Sequence, residues 1–313
     1  MESELYKNRS LGRCLSDAYD LYRTNFKTIV RRLWLSALVL SLLTAALYSV
    51  STNVTMAVTS AEGLGVGSSI ALAVLCVLSV CAYVWFFTII ISLLNGKSVK
   101  ANLPRMIRLA LTLLGLTIVL CVIVALFSTA TVALVKPKPN AVAFDTILGG
   151  LLACIVVCVA VLPLCYSIMK YCVETDGKVM DIFKRHYLAG WRQWGFLFII
   201  ALLVGIIVMV IDTLVGMPNS ILMLVSNMRR MSIMEGDSPI LPSGYGLLAF
   251  LTCTICTFVM TFVRPWVFFV FYYAYGCIDE KEKARMALKK VEASQDANDM
   301  ANKEKSIDFE EVR

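Results

Sequence analysis

The sequence predicts an all-α fold: a polytopic membrane helical bundle of six transmembrane helices, divisible into three repeated helix hairpins with short interfacial helices. Three observations point there. Of the 313 residues, 59% are hydrophobic and only 16% are charged, whereas a soluble domain carries about 25% charged residues. The mean hydropathy is +0.77. Lys and Arg are also divided unevenly between alternate connections, as in a chain that threads a membrane in one orientation.

Lipid offers no partner to an exposed backbone N–H or C=O, so the unit of crossing is a helix of roughly 20 apolar residues. Six stretches qualify: 33–50, 69–94, 109–135, 146–169, 194–216 and 245–277. They divide the chain into a cytoplasmic N-terminal segment with an amphipathic interfacial helix (1–32), a transmembrane domain (33–278) and a charged cytoplasmic tail (279–313). The tail is expected to be helical at first and disordered from Ser294, where little remains to bury. Residues 1–32 lack the apolar core of a cleavable signal peptide.

The segment before the first stretch, and the connections after the second and fourth, hold seven, four and five Lys or Arg. The connections after the first, third and fifth hold none, two and two. Positive charge stays on the cytoplasmic side, so both termini are expected there. Trp34, Trp191 and Trp194 fall at cytoplasmic ends, where an indole buries its ring and keeps its N–H among headgroups. Trp85 lies inside a span and is expected between helices.

Each hairpin opens with a short cytoplasmic amphipathic stretch, at a period of about 80 residues. In the first, Leu21, Phe26, Ile29 and Val30 oppose Arg23, Lys27, Arg31 and Arg32. In the third, Ile182, Phe183, Tyr187 and Trp191 oppose Lys184, Arg185 and Arg192. Residues 20–26 align with 181–187 at an offset of 161, which also sets Arg31 on Arg192. Such stretches can lie in the interface with their basic side chains at lipid phosphates. The net charge is +7, an excess that suits an anionic membrane and needs no nucleic-acid partner.

Catalytic constellations are scarce. His186 is the single histidine, so no His-containing metal cluster reads from the chain, and no metal or cofactor is expected. Most of the eleven cysteines fall in apolar runs and read as small buried hydrophobes in reduced form. Two ionisable residues interrupt the spans, where charge is expensive and marks function by default. Asp212 falls near the outer end of the fifth. Arg264, beside Pro265, has two open placements: at the cytoplasmic phosphates, or projecting from a kinked helix into the bundle centre. In the bundle it requires carbonyls, tyrosine or threonine hydroxyls such as Tyr83, Tyr166 and Thr261, or a bound anion. The outer connection 217–244 is Met-rich and predicts an interfacial helix over Ile221–Met234, capped by Pro218, Asn219 and Ser220. That loop and the tail 279–313 are the candidate surfaces for a protein partner. Oligomeric state does not read from these features.

The six-span plan, the segment Tyr22-Arg-Thr-Asn-Phe26 and the ending Tyr272-Tyr-Ala-Tyr275 before a charged tail resemble a loose group of uncharacterised bacterial inner-membrane proteins. That group is related to the membrane domain attached to some glycerophosphodiester phosphodiesterases. The resemblance covers roughly Leu15–Asp279 and includes no phosphodiesterase barrel, so it implies neither that activity nor any catalytic residue. It implies a bacterial cytoplasmic (inner) membrane and a lipid-related role. The function expected from these features together is binding or moving an amphipathic anionic substrate such as a phospholipid. The alternative is a non-enzymatic scaffold or assembly factor for other membrane proteins.

Overall fold

The computed structural model describes residues 5–7, 9–59, 66–135, 142–174, 179, 186–235 and 242–311. Its helices are α1 (Leu11–Thr59), α2 (Val66–Asn95), α3 (Val99–Val135), α4 (Val142–Val173), α5 (Tyr187–Arg192), α6 (Trp194–Met234), α7 (Tyr245–Thr261) and α8 (Val263–Glu311). Among the described residues, five helical stretches are long and apolar enough to cross a membrane: Leu11–Thr52, Val66–Asn95, Val99–Phe127, Trp194–Ile233 and Tyr245–Gln295. A shorter apolar helical stretch, Val157–Val173, belongs to α4. The protein is therefore a multi-pass, all-helical membrane protein.

Three elements differ from the sequence expectation, each for a local reason. The amphipathic opening and first span are one helix of 49 residues, not an interfacial helix followed by a span. Neither glycine nor proline occurs between Arg13 and Thr59, so nothing interrupts the i→i−4 ladder. The stretch Ile221–Met234 is likewise not a separate helix, because α6 runs through Pro218. Instead of capping, the Ser220 hydroxyl donates back to the Gly216 carbonyl at 3.1 Å. The break in the sixth span falls at Phe262, ahead of Arg264. Pro265 thus occupies the first turn of α8, where its missing N–H costs no helical hydrogen bond. Beyond that break α8 continues through the charged tail to Glu311, across the stretch expected to be disordered.

The largest core cluster joins α1 (Ile29, Leu33, Leu40), α2 (Phe86, Ile90), α6 (Ile200) and α8 (Phe269, Val270). Trp85 packs against it. A second cluster joins α3 and α4 through Met106, Leu109, Leu164 and Tyr171. Many large apolar side chains face outward instead, such as Leu111, Ile118 and Leu126 on α3. Lipid is the solvent that tolerates them.

Polar side chains close the connections. Gly96 takes φ +68° between α2 and α3, a conformation that glycine adopts without strain. The side-chain amides of Asn95 and Asn102 bond reciprocally across that turn, at 3.0 and 3.1 Å. Arg105 donates to the Tyr171 and Glu174 carbonyls at 2.7 and 2.6 Å. It thereby satisfies acceptors that the end of α4 leaves without intrahelical donors. Where α5 crosses α4, Gly190 lies so close that a Cβ would sit 2.6 Å from the Pro163 carbonyl oxygen.

Candidate functional site

The largest polar assembly lies where α4, α8 and the N-terminal segment meet. Tyr166, Lys170 and Glu174 follow one another at i, i+4 and i+8, so they share one face of α4. Tyr275, Asp279 and Lys283 do the same on α8. The buried Asp279 accepts from Lys170 Nζ at 2.9 Å and from the Tyr166 hydroxyl at 3.2 Å, both at Oδ1. Its Oδ2 lies 2.8 Å from Lys283 Nζ. Tyr275 donates to Glu174 at 3.1 Å, and its hydroxyl lies 3.3 Å from that of Tyr6. The apolar run of α8 ends before Asp279. Burial there pushes the carboxyl pKa up, but hydrogen bonds and charge from Lys283 and Lys170 outweigh burial and hold it below the ordinary carboxylate range. The hydrogen bond to Asp279 raises that of Lys283.

The N-terminal segment is clasped alongside. Arg9 pairs with Asp17 at 2.7 Å, donates to the Leu5 carbonyl at 2.7 Å and places its guanidinium 4.8 Å from the Tyr273 ring centroid. Its backbone N–H donates to Cys277 Sγ at 3.4 Å. The close approach requires Gly276, where a Cβ would stand 2.5 Å from the Leu5 carbonyl oxygen. Every charge described in this assembly has an opposite partner, so its chemistry is that of a clamp.

A second place holds Arg264. Its guanidinium sits over the Tyr83 ring, 4.9 Å from the centroid, and it makes no ion pair with any described carboxylate. Tyr83 stacks on Phe87 at 6.5 Å, which leans on Phe268 at 6.2 Å. The Phe262 carbonyl, at the helix break, accepts the Tyr22 hydroxyl at 3.0 Å. Buried and without hydrogen-bond partners nearby in sequence are Ser79 Oγ, one turn before Tyr83, and Trp266 Nε1, two residues after Arg264.

Of the four residues the sequence nominates as a ligand site, Arg264 and Tyr83 thus meet. Tyr166 belongs to the Asp279 clamp, and Thr261 donates to the Thr257 carbonyl of its own helix at 2.7 Å. Sequence reasoning missed Ser79 and Trp266, which look like ordinary span residues until their neighbours are known. It also missed Asp279 as a hub, and the i, i+4 spacing of charged and aromatic residues was the available signal.

Among the basic residues, Arg23, Lys27, Arg31 and Arg32 are exposed on α1. Lys184 and Arg185 lie outside the described residues. Arg192 is engaged by Glu282 at 3.4 Å. A recess of about 130 Å³ opens between α1, the end of α2 and α8, lined by Asn25, Thr28, Leu94 and Tyr272 among others. Arg264 does not line it.

Fold and site together define a polytopic membrane helical bundle with a charge-neutral clamp at one end and a carboxylate-free arginine at the helix break. No protein-family model, no curated protein and no solved structure matches the chain.

Proposed function

We propose that the chain is a six-span protein of a bacterial cytoplasmic membrane, both termini cytoplasmic, that binds or moves an amphipathic anionic substrate such as a phospholipid. Arg264 carries this reading. A guanidinium stays protonated, and one held within an apolar stretch calls for compensating charge. Tyr83 supplies only the partial negative charge of a ring face, worth on the order of 1–2 kcal/mol. An oxyanion would complete the pairing, as phosphate matches the planar donor fork. The basic face of α1 supports it, since Arg23, Lys27, Arg31 and Arg32 are exposed and placed to gather anionic headgroups. Kinship with the membrane domain of glycerophosphodiester phosphodiesterases, and the threefold hairpin repeat, belong to the same proposal.

The test is native mass spectrometry of wild type, Arg264→Ala and Arg264→Lys purified with retained lipid, alongside thermal unfolding. The proposal expects Arg264→Ala to stay folded and lose anionic lipid, with Arg264→Lys recovering little of it. Unchanged retention in Arg264→Ala would reduce the residue to an anchor for Tyr83. The scaffold reading then takes precedence, favoured by the long apolar face of α6.

A further inference from the structure

We propose that Arg264 and Ser79 form a relay near the middle of the bilayer for the phosphate of an anionic phospholipid. The chain then carries headgroups between leaflets instead of only holding them at its surface. This rests on the reading of Arg264 as an anion site and extends it from binding to transbilayer movement. Depth is the first observation. At 1.5 Å per residue, Tyr83 stands about 18 Å from the Asn95 end of α2 and about 26 Å from its Val66 end. Ser79, one turn before it, stands about 24 Å from Asn95, so the two residues bracket the midpoint of the span Val66–Asn95. Along α7 and α8, Arg264 lies about 22 Å from Asp279 and about 28 Å from Tyr245. Two helices thus place the site at the same level, and tilt shortens both sides of it alike. With a hydrocarbon core of about 30 Å, that level is about 10 Å from the nearer headgroup layer. The Tyr83 ring holds the guanidinium there, 4.9 Å from its centroid.

Ser79 supplies the second observation. Hydroxyls elsewhere in the spans bond back to their own helix, as Ser36 does to the Leu33 carbonyl at 2.9 Å and Thr254 to the Phe250 carbonyl at 2.8 Å. Ser79 is 7% exposed, yet its Oγ has no partner, and a buried hydroxyl left so is destabilising. Residues at i and i+4 share a helix face, and long helical side chains lean toward the N-terminus. The Tyr83 ring therefore reaches back over the turn that carries Ser79, and Arg264 lies on that ring. One anionic oxygen bound to the guanidinium on that side gives the Ser79 hydroxyl its missing acceptor.

Access names the ligand. Arg264 and Tyr83 are each partly exposed, and at mid-bilayer depth exposed surface opens to lipid. A phospholipid that reaches them from the side keeps its acyl chains in hydrocarbon while its phosphate takes the planar donor fork of the guanidinium. A free phosphate ion has no such route, because it would enter the hydrocarbon with its whole charge uncompensated.

The test is transbilayer exchange in phosphatidylcholine vesicles that hold the full-length protein and a trace of phosphatidylglycerol with a dithionite-bleachable acyl label. Wild type is expected to expose the inner-leaflet probe much faster than protein-free vesicles, with no energy source. Arg264→Ala should abolish that exchange. Ser79→Ala is expected to slow it roughly tenfold, as for one hydrogen bond to a charged group. Its unfolding temperature should be unchanged or higher, because the hydroxyl removed has no partner. A wild-type rate no greater than that of protein-free vesicles overturns the relay; lipid retention that still depends on Arg264 would then leave the binding reading standing. An Arg264-dependent leak of trapped inorganic phosphate at an equal rate overturns the lipid assignment. Exchange unchanged in Ser79→Ala, or slowed only along with a lowered unfolding temperature, overturns the part given to Ser79.

Discussion

Gly276 and Asp279 govern how the N-terminal segment is held. A Gly276→Ala methyl would meet the Leu5 backbone, which has no rotamer by which to move aside. The expected cost is about 1–3 kcal/mol, as for other overpacked sites. It should appear as faster amide exchange at Leu5–Arg9 with the bundle intact. Asp279 makes the same clasp acid-sensitive. Its folded pKa is lowered from an unfolded value of about 3.9. Its stabilisation is therefore complete above that value and is lost as pH falls through the folded pKa. Protection at the clasp, taken as exchange relative to the intrinsic rate at each pH and followed from pH 7 to below 4, should fall at the acid end. Asp279→Asn should remove that acid step and loosen the clasp at neutral pH.

The break between α7 and α8 is the element on which the Arg264 site depends. The helix ends where the Tyr22 hydroxyl takes the Phe262 carbonyl, and Pro265 then starts α8 without a donor to satisfy. Tyr22→Phe should cost about 1–2 kcal/mol, because it leaves a partly buried carbonyl without that donor. A scaffold role would tolerate the change. A lipid-binding role requires Arg264 to keep its place over Tyr83, so headgroup retention should fall together with thermal stability. Retention unchanged in a destabilised Tyr22→Phe protein would separate the break from the site.

For the whole molecule, the six-span proposal places residues near Glu62, Asn140 and Ser238 outside, and those near Lys97, Lys178 and Asp296 inside. Single cysteines at these positions, probed in intact cells with an impermeant maleimide, should label only in the first group. Labelling of Asn140 only after permeabilisation would mean that the span count is wrong. The exposed apolar surfaces of α3 and α6 are compatible with this arrangement because lipid, unlike water, exacts no hydrophobic penalty for them.

The amino-acid sequence by itself determined the solvent of this protein and its helical class. Both follow from local physics: runs of apolar residues, and the need of backbone groups for internal partners. It also pointed to Arg264, since a charge in an apolar run is visible without coordinates. What only the tertiary structure decided is which groups meet. Tyr83 and Arg264 are 181 positions apart in the chain and come together because α2 and α8 both pack on α1. Tyr166 and Thr261, equally plausible from sequence, are claimed by Asp279 and by a carbonyl of α7. Local pattern misled in α1, where no glycine or proline separates the amphipathic opening from the span, and in α6, where Pro218, Asn219 and Ser220 lie within a helix instead of starting one. A hydroxyl near a span end can cap or bond back, and only the direction taken by the following chain chooses between them.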